Sequence, residues 1–163
     1  MDQANPYAAP VAEVADVTAL EASPPLWNPN AAASWSLLFS PVFGAWLHML
    51  NWHAMGEPEK AAASKRWLIG SAVMLVLIVM GSIALPDTKA LDGLSRIVGF
   101  GVLIAWYYAI GKSQNAAVLA RYGKNYRRKG WAKPLLLALA GLLGFMVLGV
   151  IIGFMYGAAA AIR

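Results

Sequence analysis

Residues 67–85 form a run of nineteen side chains without a single charge, closed by Pro86. No other feature limits the fold so tightly, because a helix of that length rises close to the ~30 Å of a bilayer's hydrocarbon core. Its side chains are apolar all round rather than along one stripe, as suits a helix whose outer faces meet lipid. Residues 134–157 repeat the pattern, uncharged and opened by Pro134 at a favourable first-turn position. A third stretch, residues 94–111, is shorter in strictly apolar residues. There Arg96 is expected to snorkel outward, and Trp106, Tyr107 and Tyr108 suit a headgroup boundary. The first apolar stretch, residues 31–50, has the length to span, yet carries Pro41 at its middle. Proline removes an internal hydrogen bond there, so two expectations stand: a kinked spanning helix, which is favoured, or a re-entrant or interfacial pair of half-helices.

Composition agrees with this reading. The 163 residues are 60% hydrophobic and 13% charged, against about 25% charged in a soluble globular chain. The expected fold class is all-α: a polytopic transmembrane bundle of about four helices, forming one compact unit over residues 31–163 with no separate catalytic domain. Residues 1–30 differ. They hold Asp2, Glu13, Asp16 and Glu21, five prolines and no basic residue, and read as a flexible acidic tail. The first basic residue is Lys60, so no basic n-region of a secretory signal precedes the apolar stretches, and the tail is expected to stay attached.

The loops orient the bundle. Residues 51–66 carry Lys60, Lys65 and Arg66; residues 111–133 carry seven basic side chains and no acidic one. Together they hold ten of the thirteen Lys and Arg, which places both loops in the cytoplasm of a bacterial inner membrane and the C-terminus in the periplasm. The side taken by the tail depends on the first stretch: outside if it spans, cytoplasmic if it re-enters.

Two features suggest contact surfaces. Gly149, Gly153 and Gly157 lie four apart in the last helix and give one face on which another backbone can approach closely. The leading expectation is packing against the chain's own helices; the other is assembly with a second copy or a partner's helix. The basic loop 112–133 interleaves Lys124, Arg127, Arg128 and Lys129 with Tyr122, Tyr126 and Trp131. It is expected to rest on anionic headgroups or a partner, and it contains no recognisable nucleic-acid motif.

Catalytic chemistry finds little support. There is no Cys for thiolate ligands or nucleophiles. His48 and His53, the only histidines, lie five apart rather than three or four and are read as interfacial residues rather than metal ligands. No ionisable residue falls mid-span, which counts against a pump. Ser36, Ser40, Ser71 and Ser82 are expected to bond back to their own helices rather than serve as nucleophiles. No catalytic residue, cofactor or metal is therefore expected.

The opening NPYAAP, residues 5–10, resembles the start of many small bacterial membrane proteins, some of them in the RDD family. That family's Arg-Asp-Asp signature is absent from the first helix, and the family is not assigned. The segment WNPNAAASWSLLFSPVFGAWLHMLNWHAMGEPEKA, residues 27–61, resembles one found in uncharacterised proteobacterial membrane proteins. In those, a first spanning helix ends at an Asn-Trp…Gly turn, here Asn51, Trp52 and Gly56. The resemblance implies no activity and lends the spanning reading some weight. The expected function is binding: an accessory or interaction protein of an envelope complex, or a protein of the toxin-immunity type. The alternative is a small homo-oligomeric channel or transporter.

Overall fold

The computed structural model describes residues 23–85 and 88–161; most of the expected acidic tail, together with Pro86, Asp87 and Arg163, lies outside the described residues. Four helices follow in order: α1 (Pro29–Ala54), α2 (Pro58–Ala84), α3 (Lys89–Tyr122) and α4 (Ala132–Ala161). The all-helical expectation holds among these residues, where the sole extended pairing is one parallel bridge between Leu26 and Arg128.

Helix α1 is not straight. Its first turn is capped by the Asn28 side chain, which accepts from Asn30 N and Ala31 N at 3.0 and 3.2 Å, with Pro29 supplying a pre-set φ at the first position. At Ser40 the backbone leaves the helix, with φ 73° and ψ 165°. The cause is local: a residue before proline is disfavoured in the helical region, and Pro41 donates no backbone bond. Beyond the break the chain runs back alongside itself. The Trp27 backbone and the Asn51 side chain exchange hydrogen bonds of 3.0 and 2.8 Å although 24 residues separate them. On a continuous helix they would stand roughly 36 Å apart. Of the two expectations for this stretch, the geometry is that of paired half-helices, residues 29–39 and 41–54, with both ends at one level and Ser40 at the tip.

Three helices are long and apolar enough to cross a membrane: Pro58–Ala84, Lys89–Tyr122 and Ala132–Ala159. Only 6% of the hydrophobic window of α2 is buried inside the protein, and none of that of α4. A helix apolar on all sides yet uncovered by its own chain has lipid as its natural surroundings. The hairpin packs chiefly on α2 and α3. Helix α4 meets it through Leu135 and Ala138, with Trp131 just before, against Ala32, Phe43 and Leu47.

Two expected boundaries need correction. The basic loop was read as residues 112–133, but residues 112–122 continue α3 as helix; only 123–131 is irregular. The reason is packing: Gln114 and Val118, four apart, are buried against the hairpin and hold this polar stretch in helical register. The tail was read as residues 1–30, but its described part, residues 23–30, is packed against the rest of the protein. Leu26 is fully buried, with its N–H bonded to Arg127 O at 2.9 Å and its carbonyl to Lys129 N at 2.8 Å. Gly56 and Gly123 close α1 and α3 at φ 73° and 68°, a backbone region that other residues rarely enter.

Candidate functional site

A polar knot ties the ends of the hairpin to α3. Asn51, fully buried, accepts from Trp27 N and donates to Trp27 O; the same Nδ2 reaches Gln114 Oε1 at 3.2 Å. Gln114, also fully buried, donates to His48 O at 2.8 Å. His48 lies with Nε2 3.2 Å from Pro29 O. A carbonyl can only accept, so Nε2 carries the proton. Two side-chain amides thus close the hairpin and attach it to α3, because a buried amide without partners costs about 1–3 kcal/mol while a paired one contributes. His48 and Trp106 meet edge to face at 5.2 Å between centroids. His48 Nδ1 and Trp106 Nε1 have no hydrogen-bond partner among the described residues. No group of three His, Asp or Glu side chains that could hold a metal occurs among those residues.

A π-helical turn, Tyr107–Gly111, sets the register of this knot. At about 100° per residue, Trp106 and Gln114 would sit about 80° apart on a regular helix; absorbing one extra residue brings them to within about 20°. Both then face the hairpin. Trp106 is fully buried inside the protein, against the expectation that it marks a headgroup boundary, whereas Tyr108 is exposed. The indole occupies room that only a glycine leaves. A Cβ on Gly44 would overlap both the Ser36 hydroxyl and the Trp106 ring, reaching ring atom Cζ2 at 2.8 Å. Ser36 and Gly44 flank Ser40 symmetrically and form the close contact between the half-helices. Ser36 and Ser82 bond back to Ala32 O and Val79 O as expected, whereas Ser40 forms the break and Ser71 Oγ has no hydrogen-bond partner among the described residues.

The basic rim lies over the knot. Trp27 donates Nε1–H to Gly130 O at 3.0 Å, and Lys129 stands 4.2 Å above its indole. Arg128 lies over Tyr126 and donates to Lys124 O, while Arg127 N bonds to Ser23 Oγ. Lys124, Arg127, Arg128 and Lys129 are thus held together along one edge. Beneath them Leu26, Trp52, Met55, Ala61, Val118 and Tyr126 make a small apolar core. Arg121 ties the α1–α2 turn to the end of α3, donating to Met55 O at 3.2 Å and pairing with Glu57 at 2.6 Å. Hydrogen bonds from Arg121 and then Lys60 hold the Glu57 carboxyl below its ordinary pKa. His53 is exposed at the surface; His48, read as interfacial, is instead fully buried, because the hairpin folds Pro29 over it.

Two apolar surfaces remain open. A groove of about 660 Å³ runs between the hairpin tip, α2 and α4, lined by Phe39, Phe43 and Trp46 on one side and by Ala72, Gly141 and Phe145 on the others. Further along α4, a Cβ placed on Gly149 would meet Val79 Cγ1 at 3.9 Å, whereas one placed on Gly153 or Gly157 would meet nothing within 4 Å.

Of the knot residues, sequence reasoning passes over Gln114, and it names Asn51 only in a helix-ending turn and Trp106 only at a headgroup boundary. Their signal was faint: two amides beside apolar runs, with no spacing rule to join positions 63 residues apart. No protein-family model, curated protein or solved structure matches the chain.

Proposed function

We propose that the chain is a multi-pass protein of a bacterial inner membrane that acts by binding rather than by catalysis, as an accessory subunit or as a toxin-immunity type of protein. The observation that carries this is the glycine face of α4 beyond Gly149, where a Cβ placed on Gly153 or Gly157 would meet nothing within 4 Å. Lipid tails give no hydrophobic drive between helices, so small residues pack against another helix through close van der Waals approach. In the proposed topology the hairpin enters the membrane from the cytoplasmic side and returns to it. Residues 51–66 and 111–133 then lie in the cytoplasm with the tail, and α4 ends in the periplasm. The positive-inside distribution of Lys and Arg supports that orientation.

The experiment is purification of the full chain in mild detergent, with the mass of the complex measured and any bound protein identified, for the native sequence and for Gly153→Leu and Leu148→Phe. A defined heterologous partner that Gly153→Leu releases and Leu148→Phe retains is the expected result. A monodisperse homo-oligomer that conducts ions in planar bilayers would refute it and favour the channel reading. One observation favours that rival: a broken helix within a membrane is tolerated where it is buried in protein or lines a water-filled cavity. The groove at the Ser40 break is walled by Phe39, Phe43 and Trp46, which argues against a water path.

A further inference from the structure

We infer that the groove between the hairpin tip, α2 and α4 holds one acyl chain of an anionic phospholipid, with its headgroup at Lys65 and Lys133. Depth identifies the occupant. On α2 the lining residues run from Leu68 to Val76, and on α4 from Leu137 to Phe145. Each run of nine residues, eight steps of about 1.5 Å, rises about 12 Å, against about 15 Å for one leaflet of a ~30 Å hydrocarbon core. Ser40, at the tip, is itself among the lining residues. A partner's spanning helix would need an open face through both leaflets; a lipid tail needs one.

Charge identifies the headgroup. Lys65 precedes Leu68 by one turn and Ala72 by two on α2. Lys133 precedes Leu137 by one turn and Gly141 by two on α4. Both lysines are exposed at the basic edge of the protein; Lys65 continues the groove-facing stripe of α2, and Lys133 stands one turn above Leu137 at the head of α4. Side chains on a helix lean toward its N-terminus, which for α2 and α4 is that same edge, so both ammonium groups reach upward from the groove mouth. Neither makes an ion pair among the described residues, where the ion pairs are Lys60–Glu57, Arg96–Asp92 and Arg121–Glu57. Basic pockets between transmembrane helices at the cytoplasmic face suit anionic headgroups, and about 660 Å³ lies within the usual size of a ligand site. The inference rests on the hairpin dipping into the leaflet at the basic edge, and not on any protein partner at α4.

The test is native mass spectrometry of the full chain in detergent with added phosphatidylglycerol or phosphatidylcholine. One phosphatidylglycerol is expected to stay bound where phosphatidylcholine dissociates. The double variant Lys65→Gln/Lys133→Gln, which alters exposed side chains alone, should weaken retention about tenfold or more. Gly141→Trp, at a position where an added Cβ would meet nothing within 4 Å, should fill the groove and abolish retention while helical content stays unchanged. Should that variant misfold, phosphatidylglycerol brominated on its acyl chains supplies the second readout, since it should quench groove tryptophan fluorescence in the native chain and less in Lys65→Gln/Lys133→Gln. Equal retention of both lipids, or retention untouched by the charge variant, overturns the inference. So does a photo-cross-linker at Leu142 that captures a protein helix in place of lipid. A long distance between the two ends of α1 would instead overturn the hairpin's placement, a failure distinct from loss of lipid selectivity.

Discussion

Asn51→Leu removes the clasp of the hairpin while keeping the number of side-chain heavy atoms and their branching. The amide takes part in three hydrogen bonds: one from Trp27 N at 3.0 Å, one to Trp27 O at 2.8 Å and one to Gln114 Oε1 at 3.2 Å. Each stranded buried partner costs about 1–3 kcal/mol. Trp27 is half-buried and regains part of its loss from water, whereas Gln114 is fully buried and does not. The expected destabilisation is therefore about 3–5 kcal/mol, at the upper end for a single substitution. The absence of native Cys allows spin labels to be placed by single substitutions at Asn30 and Ala54, both exposed. In the native sequence the labels should report one short distance. With Asn51→Leu a second, longer population should appear, approaching the roughly 36 Å of a straight 24-residue separation. Gln114→Leu should produce a smaller effect, and the double variant should cost less than the sum, because both break one network. A native-sequence distance near the straight-helix value, or an Asn51→Leu distribution identical to native, would refute the reasoning.

Gly44→Ala should destabilise the bundle by about 1–3 kcal/mol in detergent melts, since the added Cβ overlaps the buried Trp106 ring; Gly101→Ala, with open space around it, should not. Ser40→Gly should raise stability by about 1 kcal/mol, because Ser40 sits at φ 73° and ψ 165°, a region nearly reserved for glycine. A lower melting temperature for that variant would count against a sharp break at the tip. Glu57 titrates below its ordinary range through its bonds to Arg121 and Lys60. Its contribution is therefore complete above the ordinary carboxylate pKa and fades as pH falls through the lowered one. Proteolysis of the α1–α2 turn should increase in that acid range for the native chain and show no such rise for Glu57→Gln.

The spanning helices were legible because their signal is local: nineteen uncharged residues announce α2 without help from the rest of the chain. Pro41 likewise announced a break, since proline acts on its own neighbours. The direction of the break was not legible. Whether the chain bends or doubles back depends on Gly44 admitting Trp106, and on Asn51 meeting Gln114 across 63 residues. Neither contact leaves a periodic trace. The knot was hidden for a related reason. Gln114 reads as one polar residue among the basic and amide side chains that follow the third stretch, and only the π-turn at Tyr107–Gly111 rotates it onto the buried face. The basic cluster of Lys124, Arg127, Arg128 and Lys129 is legible from composition, but its scaffold, the pairing of Leu26 with residues 127–129, joins a segment read as tail to one read as loop.

That pairing has a consequence for how the chain is made. Trp27 bonds to Gly130 across 103 residues, so the start of the hairpin meets this partner only after α1, α2 and α3 have been synthesised. The hairpin must wait, its ends unclasped, while α2 and α3 enter the bilayer, and such long-range closure is slow. Ribosome-bound chains ending before Gln114 should leave a cysteine substituted at Trp27 open to a water-soluble thiol reagent. Chains extended beyond Trp131 should protect it. Early protection would mean that the hairpin closes on its own, and that the basic loop merely settles on a finished fold.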